Sequence, residues 1–140
     1  MRPLLLLLIL LVPLLSSGCQ GQRSADGSGT WQRTELFFGL SRRGAADVSE
    51  AEWSEFVATQ IAPAFPGGFT ELTAIGHFRQ DGKSQSEPVR VLVILNPPEQ
   101  AVSTDSKLNA LGRAYCARFG QDAVLRSDSS ASLTFLRAHE

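Results

Sequence analysis

The sequence predicts an α+β domain, an antiparallel sheet with two helices on one face, behind an export segment. Three observations predict it. Four short stretches have the alternating or β-branched apolar make-up of strands. Two others repeat their apolar residues every three to four positions, as amphipathic helices do. The six follow one another in the order β-α-β-β-α-β.

The first strand is Thr34–Leu40, with Leu36, Phe38 and Leu40 on one face. Ser49-Glu50-Ala51-Glu52 has the spacing of a capping box, and Trp53, Phe56, Val57 and Ile61 follow at helical intervals. Pro63 is expected to stop this helix, and Pro66-Gly67-Gly68 to make the turn. The second strand is Phe69–Arg79, closed by the hairpin-type loop Gln80-Asp81-Gly82-Lys83. The third is Val89–Leu95, ended by Asn96-Pro97-Pro98. Ser103 or Thr104 is expected to cap a second helix whose stripe is Leu108, Leu111, Tyr115 and Phe119, with Gly120 at its C-terminus. A last strand region, Ala123–Leu136, is expected to break or bulge at Asp128-Ser129-Ser130. This order is the ferredoxin-like arrangement.

The third strand is apolar on both sides, which a sheet with one solvated face does not require. Placing Leu36, Phe38, Leu72, Phe78, Val91 and Val93 against the helices turns Phe37, Ile75, Leu92 and Ile94 the other way. Glu35, Glu71, His77, Arg79 and Arg90 are then expected among them. Such a face calls for a cover: a second copy, a ligand or the C-terminal segment. A homodimer through it is the expected protein partner.

Ahead of the domain, Leu4–Leu15 is an apolar run interrupted only by Pro13 and preceded by Arg2. A basic start, a short apolar stretch and small residues make a secretory signal. The run is too short for a spanning helix, which needs about 20 residues. Its ending, Leu15-Ser16-Ser17-Gly18-Cys19, resembles the lipobox of bacterial lipoproteins, with Ser16 where Leu is usual. The alternative is an ordinary cleaved signal. The lipobox resemblance implies a signal peptide over 1–18, acylation of Cys19 and a membrane as partner. Gln20, by resemblance to enterobacterial sorting rules, implies the periplasmic side of the outer membrane. Residues 19–32 are small and polar and read as a tether reaching ~20 Å. The single domain is then 33–140. With Cys19 acylated, Cys116 has no disulfide partner and reads as a small core hydrophobe.

Little chemistry is visible. The formal net charge is −1, and no basic stripe exists, which excludes a nucleic-acid partner. No metal-ligand spacing, nucleophile elbow, phosphate loop or dinucleotide fingerprint appears, so no cofactor and no catalytic residue is assigned. His77, as an imidazole, is the best candidate for acid-base work and for a binding site, with Arg79 and Arg90 beside it. Glu87, just before a strand, reads as a solvated loop residue, and His139 as a residue of the frayed end.

One further resemblance rests on Thr34–Gly39, Trp53 with Phe56, Pro63, Phe65-Pro66-Gly67, Gly76-His77-Phe78, and Tyr115 to Phe119 with Gln121 and Val124. From Thr34 onward the chain resembles an uncharacterised bacterial domain-of-unknown-function family. That family's hallmark is Thr-Pro-Arg-Phe after the first helix. Here the stretch is Ala62-Pro63-Ala64-Phe65, without the Thr and Arg. The resemblance implies no activity. Two functions stand beside each other: a non-catalytic binding or accessory module of the cell envelope, and a small dimeric α/β-barrel-like enzyme with its site on the open sheet face.

Overall fold

A computed structural model describes residues 30–138. Cys19, the leader, most of the tether and His139 lie outside them. Strand β1 (Thr30–Gly39) is followed by helix α1 (Glu50–Phe56), which continues through a π-helical stretch (Val57–Ile61) into a last turn (Ala62–Ala64). Strands β2 (Thr70–Gln80) and β3 (Lys83–Asn96) form a hairpin. A 3₁₀ turn (Pro98–Gln100), helix α2 (Ala101–Phe119) and strand β4 (Leu125–Ser132) complete the chain. The sheet runs β2-β3-β1-β4, every neighbour antiparallel, with the helices on one face. The expected ferredoxin-like fold is present.

Local chemistry fixes the helix ends. The Ser49 N–H donates to Glu52 Oε2 at 2.8 Å and the Glu52 N–H to Ser49 Oγ at 3.3 Å, closing the capping box. Those bonds, with the Ser49 hydroxyl and Arg42, lower the Glu52 carboxyl from an ordinary 4.5 to about 2. Pro63 does not stop the first helix as expected, since helical turns run on to Ala64. A proline ring clashes with the carbonyl four residues back, and the preceding π turn widens the backbone enough to take it in. Nor do Ser103 and Thr104 cap α2. The turn from Pro98 starts it, Ser103 Oγ donates to the Gln100 carbonyl, and Thr104 is buried against Asn96. Gly120, at φ 67°, ends α2 in the left-handed conformation glycine favours.

β4 runs unbroken through Asp128-Ser129-Ser130, where a break was expected. Asp128 Oδ1 accepts from Thr34 Oγ1 at 2.6 Å and Gln32 Nε2 at 3.2 Å, which holds the polar stretch flat against β1. β3 begins six residues before the expected Val89, passing through Pro88 in an interior strand. The Pro88 carbonyl accepts from the Leu40 N–H, so the missing proline donor lies on the β1 side. Register pairing with β1 ends there, at Gly39 opposite Val89, and the donor is not needed.

The largest correction concerns the two faces of the sheet. Leu36, Phe38, Leu92 and Ile94 face the helices, in a core with Trp53, Phe56, Ile61, Leu108, Leu111, Tyr115 and Phe119. Val89, Val91 and Val93 form a second cluster with Phe37 and Ala74 on the open face. Register places Leu72 opposite Val91 and Phe78 opposite Gln85, so both belong to the open face. Ile75, Leu92 and Ile94 belong to the helix side. Strand three was therefore read one residue out of phase, and Leu72, Ile75 and Phe78 of β2 with it. Glu71, His77, Arg79 and Arg90 change sides too, and only Glu35, opposite Val93, stays on the open face.

Candidate functional site

The helix-side core is closed and structural. Phe38, Trp53, Phe56, Tyr115 and Phe119 pack as one aromatic cluster, with ring centroids of Phe38 and Tyr115 4.7 Å apart. Burial supplies roughly 1.5–3 kcal/mol for each such side chain. Their polar ends are satisfied: the Tyr115 hydroxyl donates to the Gly39 carbonyl at 2.8 Å and Trp53 Nε1 to Glu71 Oε1 at 2.7 Å. Burial first, and the negative charge of Glu87 second, push the Tyr115 hydroxyl far above its ordinary range. It stays neutral and holds β1. Cys116, next along the helix, is a half-buried free thiol beside the stripe.

The structure does not gather His77, Arg79 and Arg90 into one site. Arg90 lies opposite Thr73, donates to its hydroxyl at 2.7 Å, and pairs with Glu50 and with Glu71 at 3.1 Å. That ties β3 to the start of α1 and to the Trp53 indole. His77 stands four residues further along β2, opposite Ser86, roughly 13 Å away at ~3.3 Å per residue. It is exposed and makes no side-chain hydrogen bond among the described residues. Arg79 donates to the Gly82 carbonyl at 3.1 Å and closes the hairpin.

The concave site is on the other face, towards the Gly39 end of β1. A hollow of about 560 Å³ is floored by Phe37, Ala74 and Val89, with Phe78 and Leu125 at its sides. His77 reaches only its wall. Glu87 stands in it. The sequence reads this residue as a loop carboxylate, but it lies within β3, half-buried, opposite Gly76. A Cβ built on Gly39 would lie 2.8 Å from Glu87 Oε2 and 3.0 Å from its Cδ and Oε1. The carboxylate therefore occupies the space a side chain at 39 would need. Gly76 is tight as well, its Cβ position 3.0 Å from Val89 Cγ2. Glycine inside a strand marks such close approach. Gly39 and Gly76 were the available sign.

No described side chain is hydrogen-bonded or ion-paired to Glu87; His77, which makes no bond, belongs by register to the other face of β2, and the remaining side-chain donors around the hollow are engaged elsewhere. Tyr115 is bonded to Gly39, Gln121 Nε2 to the Ser41 carbonyl, and Arg126 pairs with Asp105 and Asp128. Arg42 is spent on Glu52 and the carbonyls of Ala46 and Asp47. Among the described residues no group of three His, Cys, Asp or Glu side chains has the geometry to hold a metal ion. A second hollow, of about 590 Å³, lies at the opposite end of the open face between Trp31, Thr70, Val93, Leu95, Leu133 and Phe135.

Residues 33–135, both helices and all of the sheet but the first three residues of β1, match the profile of a family described as a protein of unknown function, DUF3574. The chain belongs to the DUF3574 family. No curated protein sequence matches it. Among solved structures, the DUF3574 chain is similar to a phage SAM lyase in complex with S-methyl-5'-thioadenosine, at 16% identity and a TM-score of 0.54. That alignment covers 81% of this chain and 95% of the lyase. The same lyase in its apo state aligns with a TM-score of 0.51 and 16% identity, over 77% and 94% of the two chains. CutA from Synechococcus elongatus aligns at 0.43 and 10% identity, over 75% of this chain and 78% of that one. At such identities the lyase likeness speaks for the DUF3574 fold alone.

Proposed function

We propose that this DUF3574 protein is a lipid-anchored module of the cell envelope that binds a small molecule on the open face of its sheet, without catalysing a reaction. The hollow over Phe37, Ala74 and Val89 carries this reading. Its volume falls in the range of small-molecule sites, and its make-up is the usual one, an apolar floor with few polar groups. No Ser, Thr, Cys or Lys lines it, and its carboxylate and imidazole, Glu87 and His77, have no described side chain bonded to them that would activate either. A phage SAM lyase of similar fold holds S-methyl-5'-thioadenosine, which supports small-molecule binding as within reach of this architecture. The lipobox-like ending at Cys19 supports the anchor, and Gln20 the periplasmic side of the outer membrane. Ala62 and Ala64, where the resemblance puts Thr and Arg, form part of a short turn remote from the hollow's lining.

A second copy of the chain is the cover we propose for the exposed rim of Leu72, Phe78, Leu95 and Leu125. The unpartnered Glu87 favours a second reading, in which the same face is the site of a small dimeric enzyme. Native mass spectrometry of the protein taken from its own membranes tests the first. Wild type should carry a small-molecule adduct, and Ala74→Leu, which fills the floor, should lose it. A bare wild type identical to Ala74→Leu sinks the binding reading. Cys19→Ala should abolish labelling by a palmitate analogue, and persistent labelling removes the anchor.

A further inference from the structure

We infer that the open-face hollow selects an organic cation, of the quaternary ammonium class, and that Glu87 is the residue that selects it. This rests on the hollow being a binding site and goes on to name what it takes. Three observations converge there. The carboxylate is half-buried with no hydrogen-bond or ion-pair partner among the described residues: Gln121 and Arg126 in the lining, and Tyr115 at Gly39, have their donors committed elsewhere, and His77 belongs by register to the other face of β2. Bare backbone at Gly39 leaves room for the carboxylate to lie flat against β1, and Gly76 is the residue opposite it. Two aromatic rings, Phe37 and Phe78, line the same space.

A half-buried negative charge beside an apolar floor attracts a cation more strongly than one standing free in water, since charge interactions grow as the local dielectric falls. Aromatic faces add to that attraction and suit a cation with a diffuse, weakly hydrated charge. A small inorganic ion would leave the apolar walls unused, and a neutral apolar ligand would leave the carboxylate unanswered. An organic ammonium group answers both. An ammonium rich in N–H groups would find Glu87 as its acceptor but apolar walls on its other sides, whereas a fully alkylated nitrogen sets its charge against Glu87 and its methyl groups against Phe37, Phe78 and Val89.

The test uses the full chain in phosphatidylglycerol nanodiscs, which carry no quaternary ammonium headgroup, with choline and its neutral isostere 3,3-dimethyl-1-butanol as probes. Binding is read by saturation-transfer NMR and calorimetry. Wild type should bind choline more tightly than the alcohol. Glu87→Gln should weaken choline by about tenfold or more, the usual consequence of losing a charged contact, and leave the alcohol unchanged. Gly39→Ala, which displaces the carboxylate without removing it, should also weaken choline. Equal binding of the two probes, or no effect of Glu87→Gln, overturns the selection of cations. If the alcohol is still lost in Ala74→Leu, the hollow survives as a neutral site. If neither probe binds and Ala74→Leu changes nothing, the binding reading falls with it. Thermal melts of each variant keep a folding defect from passing as a binding one.

Discussion

The two faces of this sheet carry similar apolar residues and use them in opposite ways. On the helix side Leu92 and Ile94 are fully enclosed by aromatic rings whose polar ends are all bonded. On the open side Val89, Val91 and Val93 are nearly as buried, yet around them Leu72, Phe78, Leu95 and Leu125 remain 40–64% exposed. A closed core and an open rim drawn from the same residue types show that burial pattern, and not apolar content, separates structure from working surface. Glu87, a half-buried carboxylate with no partner among the described residues, lies on the open side.

The contrast is broken most severely by placing one charge on each face. Leu92→Asp buries an unpaired carboxylate among the rings and should cost about 4 kcal/mol or more, leaving little folded protein in a denaturant melt. Next, Tyr115→Ala opens a cavity in the closed core and should cost about 3–5 kcal/mol in the same measurement. Tyr115→Phe removes only the bond to the Gly39 carbonyl and should cost about 1 kcal/mol. An unchanged melt for Tyr115→Ala would mean that this face is not closed.

The acid limb gives a smaller effect. The folded Glu52 carboxyl titrates at about 2 instead of 4.5, so it contributes stability at pH above 4.5 that disappears as pH falls towards 2. Glu52→Gln should flatten that part of a stability-against-pH curve, read by chemical melts between pH 5 and pH 2, and leave neutral behaviour to the loss of the cap. The smallest effect on stability belongs to Leu125→Asp, on the rim, which should stay within about 0.5 kcal/mol of wild type. It should nevertheless lower self-association in sedimentation of the full chain in detergent. Wild type that is already monomeric at high concentration removes the second copy as the cover.

How much of this was legible depended on whether a stretch alternates. Leu36, Phe38 and Leu40 alternate, and so do Trp53, Phe56 and Ile61 at helical spacing, and those elements and the order of the fold follow from them. Val89–Leu95 does not alternate in any useful way, because its rows are Val89-Val91-Val93 and Leu92-Ile94. Nothing local chooses between them. The choice is made by pairing with β1, where Leu36 meets Leu92 and Phe37 meets Val91. Once that phase slipped, His77 and Arg90 fell on the wrong side. Glu87 was hidden for a related reason: Pro88 argues against a strand, and the glycine that makes room for the carboxylate is far away in sequence. Its place depends on β1 ending at Gly39, which is a property of the sheet and not of the residues around Glu87.

β1 also has a mechanical meaning. It is an interior strand, ten residues long, whose Thr30 end is the one that continues towards Cys19. A pull on the chain ahead of Thr30 acts along the strand, so the ladders to β3 and β4 bear the load together instead of parting bond by bond. Glu87 lies over the far end, roughly 30 Å from Thr30 at ~3.3 Å per residue. Under such a pull the hollow at the Gly39 end keeps its shape until the strand slips as a whole.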